Sequence, residues 1–120
     1  MGTGAKDPRR ILNLLLQLPG VSSVAIVGRD GFVIDSVSGD EVDLDALGAV
    51  ISTGFSSKEV MGTELNLGFL THAIMEYDVG KILTASCGEH ILAVVTEPGA
   101  IIGHIRHNIK KHIIELGKLI

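Results

Sequence analysis

Apolar positions along the chain repeat with two different periods, which predict three helices and five strands. The helical period covers residues 7–20, residues 43–61 and the stretch that follows Pro98-Gly99. Strand-like runs lie on both sides of the turn Arg29-Asp30-Gly31 and in "FLTHAIMEYD", "KILTASC" and "HILAVVTE". This order predicts an α/β (α+β) fold, a three-layer α-β-α sandwich around a five-stranded, mostly antiparallel sheet, in a single domain over residues 1–120.

Particular residues locate the helix ends. Asp7 suits an N-cap and Pro8 a first helical position, while Pro19-Gly20 ends the first helix. Asp43 or its neighbour opens the second helix, and residues 1–6 are expected to be flexible. The residues expected to face the core are Ile11, Leu14, Leu15 and Leu18 in the first helix, Leu44, Leu47, Ile51, Gly54 and Phe55 in the second, and Ile101, Ile105, Ile109, Ile113 (or His112) and Leu116 in the third.

The second helix contains the segment "GAVISTGFSSKEVMG", which is rich in small residues. Each Gly inside a helix costs about 1 kcal/mol relative to Ala, so a benefit elsewhere is expected. A helical projection places an uncharged face opposite the core stripe, and Ser52 on a polar seam beside it. Because exposed helix faces normally carry Lys and Glu, the uncharged face indicates a contact surface, although an ordinary solvated face is the alternative.

The third strand is expected at a sheet edge, because it follows the second helix by a long connection. It contains no Pro, and its only charges, Glu76 and Asp78, come late. Such an edge favours pairing with another strand. Self-pairing about a two-fold axis would form one continuous sheet and set two copies of the second helix side by side.

Composition excludes several classes of function. The chain is 46% hydrophobic but only 3% aromatic, and its net charge is −4, which argues against a nucleic-acid partner. No apolar run approaches the roughly 20 residues of a membrane span. The single Cys87 lies in an apolar run, which predicts a buried residue and a reducing, cytoplasmic location.

No catalytic motif is present in the sequence. There is no phosphate-binding loop, and "GFSSK" lacks the second Gly of a nucleophile elbow. His104 and His107 lie three residues apart, but no carboxylate or Cys stands at ligand spacing on that helix. We therefore predict a protein that is not an enzyme, with no catalytic residue, no cofactor and no bound metal.

The motifs "LNLLLQLPGVSSVAIVGRDGFVIDS" and "CGEHILAVVTEPGAIIGHIRHNIKKH", placed on either side of the small-residue helix, resemble the roadblock/dynein light chain family. The resemblance covers nearly the whole chain and is strongest for the small MglB-like bacterial and archaeal members. It implies a roadblock/profilin-like fold and a homodimer whose paired second helices bind a small Ras-like GTPase (MglA-like). In MglB-like members this contact favours GTP hydrolysis without an inserted arginine, and residues 43–62 contain no Arg.

This resemblance identifies two sets of candidate residues. The candidate partner-binding residues are Ala46, Ala49, Ser52, Thr53, Ser56, Ser57 and Val60. The candidate dimer-interface residues are Val50, Met61, Thr71, Ala73 and Met75. The alternative interpretation is a ligand sensor or a general interaction module of the profilin/PAS-like kind, which would require a cavity with convergent polar groups.

Overall fold

The structure is a computed structural model that describes residues 7–120, and the segment expected to be flexible (residues 1–6) lies outside them. The helices are α1 (Pro8–Leu16), α2 (Leu44–Glu64) and α3 (Ile102–Leu119). The strands are β1 (Val21–Val27), β2 (Val33–Ser38), β3 (His72–Tyr77), β4 (Gly80–Cys87) and β5 (His90–Thr96). They form one sheet with the order β2-β1-β5-β4-β3, antiparallel at every pair. The predicted order of elements and the fold class are confirmed.

Side chains at the helix ends act as the sequence indicates. The Asp7 carboxylate accepts a hydrogen bond from the Arg9 amide at 3.0 Å, and the Asp43 carboxylate accepts one from the Ala46 amide at 3.1 Å. Both bonds satisfy amides that have no partner within the first helical turn. The turn between β1 and β2 contains Gly31 with φ of +91°, a conformation that favours glycine.

The helices divide between the two faces of the sheet. On one face, α1 packs against β1, β2 and α3, and α3 packs against β4. This layer contains most of the buried aliphatic residues, including Ile11, Leu15 and Ile105. On the other face, α2 packs against β1, β2 and β5 through Ile51 and Phe55. Among the described residues, no helix makes more than marginal contact with β3.

Three predicted core positions are more exposed than expected. In α1, Leu14 is 40% exposed and Leu12 is buried in its place. Leu12 is buried because α1 packs against α3 as well as against the sheet. Leu44 is 42% exposed in the first turn of α2. Ile101 is 73% exposed because it lies at the N-cap of α3, before the helical repeat begins. Across residues 7–120, every helix is too short or too polar to cross a bilayer.

Candidate interaction surface

The outward side of α2 is uncharged between its first and last turns. Its exposed residues, which we call the α2 platform, are Ala46, Ala49, Thr53, Ser57 and Val60. Asp45 and Glu64, the exposed acidic residues of the helix, lie at its two ends. A small polar side chain such as Ser or Thr adds little bulk, so a second backbone can approach this surface closely.

Two predicted partner-binding serines do not lie on the platform. Ser52 is buried, with only 7% of its surface exposed, and its hydroxyl donates to the Ala49 carbonyl at 3.2 Å. Its hydroxyl faces Gly31 of the β1–β2 turn: a Cβ built on Gly31 would lie 3.3 Å from it. Ser56 is half-buried. The prediction of Ser52 as a surface residue is therefore wrong, because the hairpin turn reaches around the side of the helix.

Gly48 explains part of the small-residue composition of α2. A Cβ at this position would collide with the carbonyl oxygen of Gly31. The glycine therefore lets the β1–β2 turn contact the helix backbone directly. Small residues serve two separate roles in α2: those at the inner flank admit the hairpin turn, and those on the α2 platform leave the outside smooth.

The predicted dimer-interface residues come together on one side of the sheet. Ile82 of β4 packs into the core beneath α2, while the next residue, Leu83, packs into the opposite core. Ala73 and Met75 pair with Thr84 and Ile82, so they share the α2 side of the sheet with Ile82. Both are half-buried, and Thr71, just before the strand, is exposed.

The α2 flank that completes this surface is apolar and exposed. Val50 is 63% exposed and Met61 is 60% exposed. On a helical projection both lie about 180° from Ser52, which contacts the turn beside β2. They therefore point along the sheet toward β3, which among residues 7–120 makes no more than marginal contact with a helix.

Sequence reasoning missed a group of exposed apolar residues between α2 and β3. Leu65, Leu67 and Phe69 are all exposed, and Phe69 is almost completely so. The segment is a defined turn, in which Asn66 has φ of +56° and the Leu67 amide donates to the Gly62 carbonyl at 2.8 Å. The available signal was the run "LNLGF", whose apolar residues follow neither the helical nor the strand period.

The outer edge of β3 is open. The Ser86 amide donates to the Thr71 carbonyl at 2.9 Å, which identifies Thr71, Ala73 and Met75 as the positions bonded to β4. In an antiparallel pair the intervening residues point their amides and carbonyls away from the neighbouring strand. The backbone groups of His72, Ile74 and Glu76 therefore face outward.

Arg29 is the arginine of the β1–β2 turn, next to α2, and it is held by three contacts. Its guanidinium pairs with Glu59 of α2 and lies 5.3 Å from the centre of the Phe55 ring. Its Nε donates to the Glu89 carbonyl at 3.3 Å. These contacts connect the turn to α2 and to the β4–β5 turn, and they hold the side chain against its own domain.

Cys87 and the histidines of α3 are the side chains that bear on a reactive or metal-binding role. Cys87 is fully buried, and burial raises the pKa of its thiol to about 11 because the thiolate would lose its hydration. His104 and His107 are both exposed on α3. Within residues 7–120, no three His, Cys, Asp or Glu side chains are grouped closely enough to hold a metal ion.

The three-layer fold, the smooth outer helix and the open strand edge define a small protein-interaction domain. The chain belongs to the Roadblock/LC7 domain family, whose sequence model matches residues 9–97. It is 34% identical to the uncharacterized protein MJ0310 of Methanocaldococcus jannaschii over 102 aligned residues. The aligned region covers 85% of this chain and 90% of that protein.

Solved structures share the fold. The gliding protein MglB from Thermus thermophilus superposes with a TM-score of 0.86 at 17% identity, covering 99% of this chain and 92% of that one. An MglB structure with a tetrameric arrangement gives a TM-score of 0.87 at 17% identity, covering 99% and 91%. At 17% identity, these similarities establish a shared fold and nothing further.

Proposed function

We propose that the protein is a homodimeric regulator or scaffold that binds a small Ras-like GTPase and modulates its GTP hydrolysis or nucleotide state. The observation that carries this proposal is the α2 platform, a long uncharged surface of small residues with exposed apolar side chains along its flank. A surface of this kind is costly to leave in water when apolar residues border it, and it suits close packing against another protein. Membership of the Roadblock/LC7 family and the fold shared with MglB support the choice of partner.

Dimerisation is the first part of the proposal. The outward amides and carbonyls of β3 can pair with the same strand of a second copy, which would extend the sheet across a two-fold axis. The same operation brings the exposed flanks of the two α2 helices, with Val50 and Met61, toward each other. The exposed Phe69, next to the edge, would then gain cover from the second copy.

The second part concerns how the GTPase is affected. No arginine lies on the platform, and Arg29 is engaged by Glu59 and Phe55. We therefore propose that the protein acts by holding the GTPase in a particular arrangement and supplies no catalytic side chain of its own. A cytoplasmic location belongs to the same proposal, because a reducing compartment suits an unpaired, buried Cys87.

Substitution of one platform residue tests the binding surface. Thr53→Arg places a long charged side chain in the middle of the platform, and we expect it to abolish binding of the GTPase while the protein stays folded. Thr63→Arg is the matched control, because Thr63 is also exposed on α2 but lies outside the platform. Binding is measured by calorimetry with a small Ras-like GTPase from the same genome, loaded with GDP or with a non-hydrolysable GTP analogue.

The mass of each variant is measured by light scattering at micromolar concentration. The unmodified protein should give about twice the chain mass of 12.7 kDa. A monomeric mass would show that the proposed homodimer is wrong. If Thr53→Arg left both the mass and the affinity for the GTPase unchanged, the platform would be ordinary solvated surface and the proposed binding site would be wrong.

A further inference from the structure

A cleft of about 500 Å³ lies on the face of the sheet opposite α2, between β3 and α3. It exists because α3 packs over β4 and leaves the neighbouring part of the sheet uncovered. Its size falls within the roughly 300–1,000 Å³ typical of small-molecule sites. The cleft is separate from the α2 platform, so what it binds does not depend on the proposed GTPase partner.

The inside of the cleft is mostly apolar, although Thr71, Thr84 and Ser86 are also among its lining residues. The strands contribute Ile74, Leu83 and Ala85, and α3 contributes Ile109 and Ile113. The short side chain of Ala85 leaves space between the strands and the helix. Such a lining favours a hydrocarbon over water, by about 25 cal/mol for each Å² of apolar surface removed from solvent.

The ionisable groups at the cleft are all basic. Arg106 and Lys110 lie one turn apart on α3, and His72 lies on β3. None of the thirteen lining residues is acidic. Among the residues that the structure describes, neither Arg106 nor Lys110 has a carboxylate within ion-pairing distance, whereas Glu115 of the same helix is paired with Arg10 at 2.9 Å. The rim therefore offers two uncompensated positive charges beside an apolar interior.

We propose that this cleft binds an amphipathic anion, a free aliphatic carboxylate of the fatty-acid kind. The hydrocarbon chain lies along Ile74, Leu83 and Ile109, and the carboxylate lies at the rim between Arg106 and Lys110. Charge complementarity selects the anion, and the aliphatic lining selects the chain. Because His72 and Ile74 also belong to the open edge strand, the ligand lies directly behind the edge at which a second copy would pair.

The experiment measures binding of dodecanoate by calorimetry, below the concentration at which it forms micelles. Dodecanol and dodecyltrimethylammonium carry the same chain with a neutral and a cationic head. The test variant is Arg106→Gln/Lys110→Gln, and the matched control is Lys111→Gln/Lys118→Gln, which removes two charges from the same helix outside the cleft. Thermal unfolding of each variant establishes that it is folded.

We expect one dodecanoate to bind per chain, with affinity about tenfold lower in the Arg106→Gln/Lys110→Gln variant and unchanged in the control. Amide chemical-shift changes should map to Ile74, Ala85 and Ile109. Equal weakening in both double variants, binding of dodecanol as tight as that of dodecanoate, or shift changes centred on Thr53 would overturn the proposal. So would binding of an acidic Leu/Glu-rich peptide in the cleft with no binding of dodecanoate, because the occupant would then be a protein segment.

Discussion

The two edge strands of the sheet, β2 and β3, differ in how much of the chain covers them. β2 is covered by α1 on one face and by α2 on the other. Asp35 in this strand pairs with Arg9 at 3.0 Å, and the same guanidinium donates to the Ser36 carbonyl at 2.9 Å. At the other edge, β3 makes no more than marginal contact with a helix among residues 7–120, and its outward backbone groups have no partner within the described chain. The chain thus covers both faces of one edge strand and bonds part of its outward backbone, while it leaves the other edge strand largely uncovered.

This difference indicates which edge of the sheet is open to association with another molecule. An uncovered strand edge is a general hazard, because it pairs with any suitable strand. Here the exposed edge is bordered by apolar residues on α2 and in the α2–β3 turn, which restricts productive pairing to a surface that matches all of them. If a second copy pairs at this edge, as proposed, its recognition depends on the side chains around β3 as much as on the backbone of the strand.

The largest effect is expected from a proline in the open edge. Glu76→Pro removes an amide that points outward, away from the β3–β4 hydrogen bonds, so the monomer should stay folded while the dimer is lost. Glu76→Gln is the matched control, since it removes the same charge, and its ion pair with Lys81, but keeps the amide. Light scattering at micromolar concentration reports the mass, and circular dichroism reports the fold. Equal masses for the two variants would show that dimerisation does not use this edge.

The next effect concerns the closed side of the sheet, where α2 meets the β1–β2 turn. Gly48→Ala places a methyl group against the Gly31 carbonyl, so the turn must move, and we expect a loss of about 2 kcal/mol in the free energy of unfolding. Gly54→Ala is the matched control, because a Cβ there meets nothing within 4 Å, and the helix should gain about 1 kcal/mol. Urea denaturation at a fixed protein concentration measures both. Two variants of equal stability would mean that the helix and the turn are not in tight contact.

Cys87 reports on β4, the strand between β3 and the rest of the sheet. Its pKa is raised from 9.0 to about 11, so the folded state holds a proton that the unfolded state loses in this range. The contribution of the thiol to stability is therefore complete below pH 9 and declines as the pH rises from 9 to about 11. Denaturation across this pH range, compared with Cys87→Ala, isolates the effect. At pH 8 the thiol should resist alkylation in the folded protein. It should resist equally in the Glu76→Pro variant if the loss of pairing at β3 leaves β4 undisturbed.

The smallest effect is expected at the β2 edge. Arg9→Gln removes the ion pair with Asp35, but that pair is largely exposed, with the Arg9 side chain 55% accessible. We expect a loss of at most about 1 kcal/mol and no change in the mass of the assembly. Raising the salt concentration should reduce the difference in the free energy of unfolding between this variant and the unmodified protein. A variant that forms larger oligomers would show that Arg9 blocks association at this edge.

Elements of this fold are predictable where the signal lies within a few residues. Asp43 caps α2 and Gly31 forms a turn because their partners are neighbours in the chain. Ser52 is different: a helical projection gives the direction of its side chain, but not that the β1–β2 turn lies in that direction. The same limit applies to Leu12, which is buried because α3 packs beside α1.

The candidate surface is predictable to a similar extent. The platform residues Ala49 and Thr53 follow from periodicity and the absence of charge. Phe69 does not, because it lies in a turn whose shape comes from the conformations of Asn66 and Gly68 and not from a repeat. The cleft behind β3 also escapes sequence analysis, since it results from where α3 crosses the sheet.

The position of β1 and β5 at the centre of the sheet has a consequence for how the chain folds. Ala25 pairs with Ala93, so the central pair joins residues from the two halves of the chain, while the β1–β2 hairpin and the β3–β4–β5 meander are local. Local hairpins form in microseconds, whereas joining distant strands requires closing a long loop. We therefore expect the central pair to form last. Until β1 arrives, β5 presents the open edge of a strand composed largely of Ile, Leu, Ala and Val, so aggregation during synthesis or refolding should begin at the middle of the final sheet.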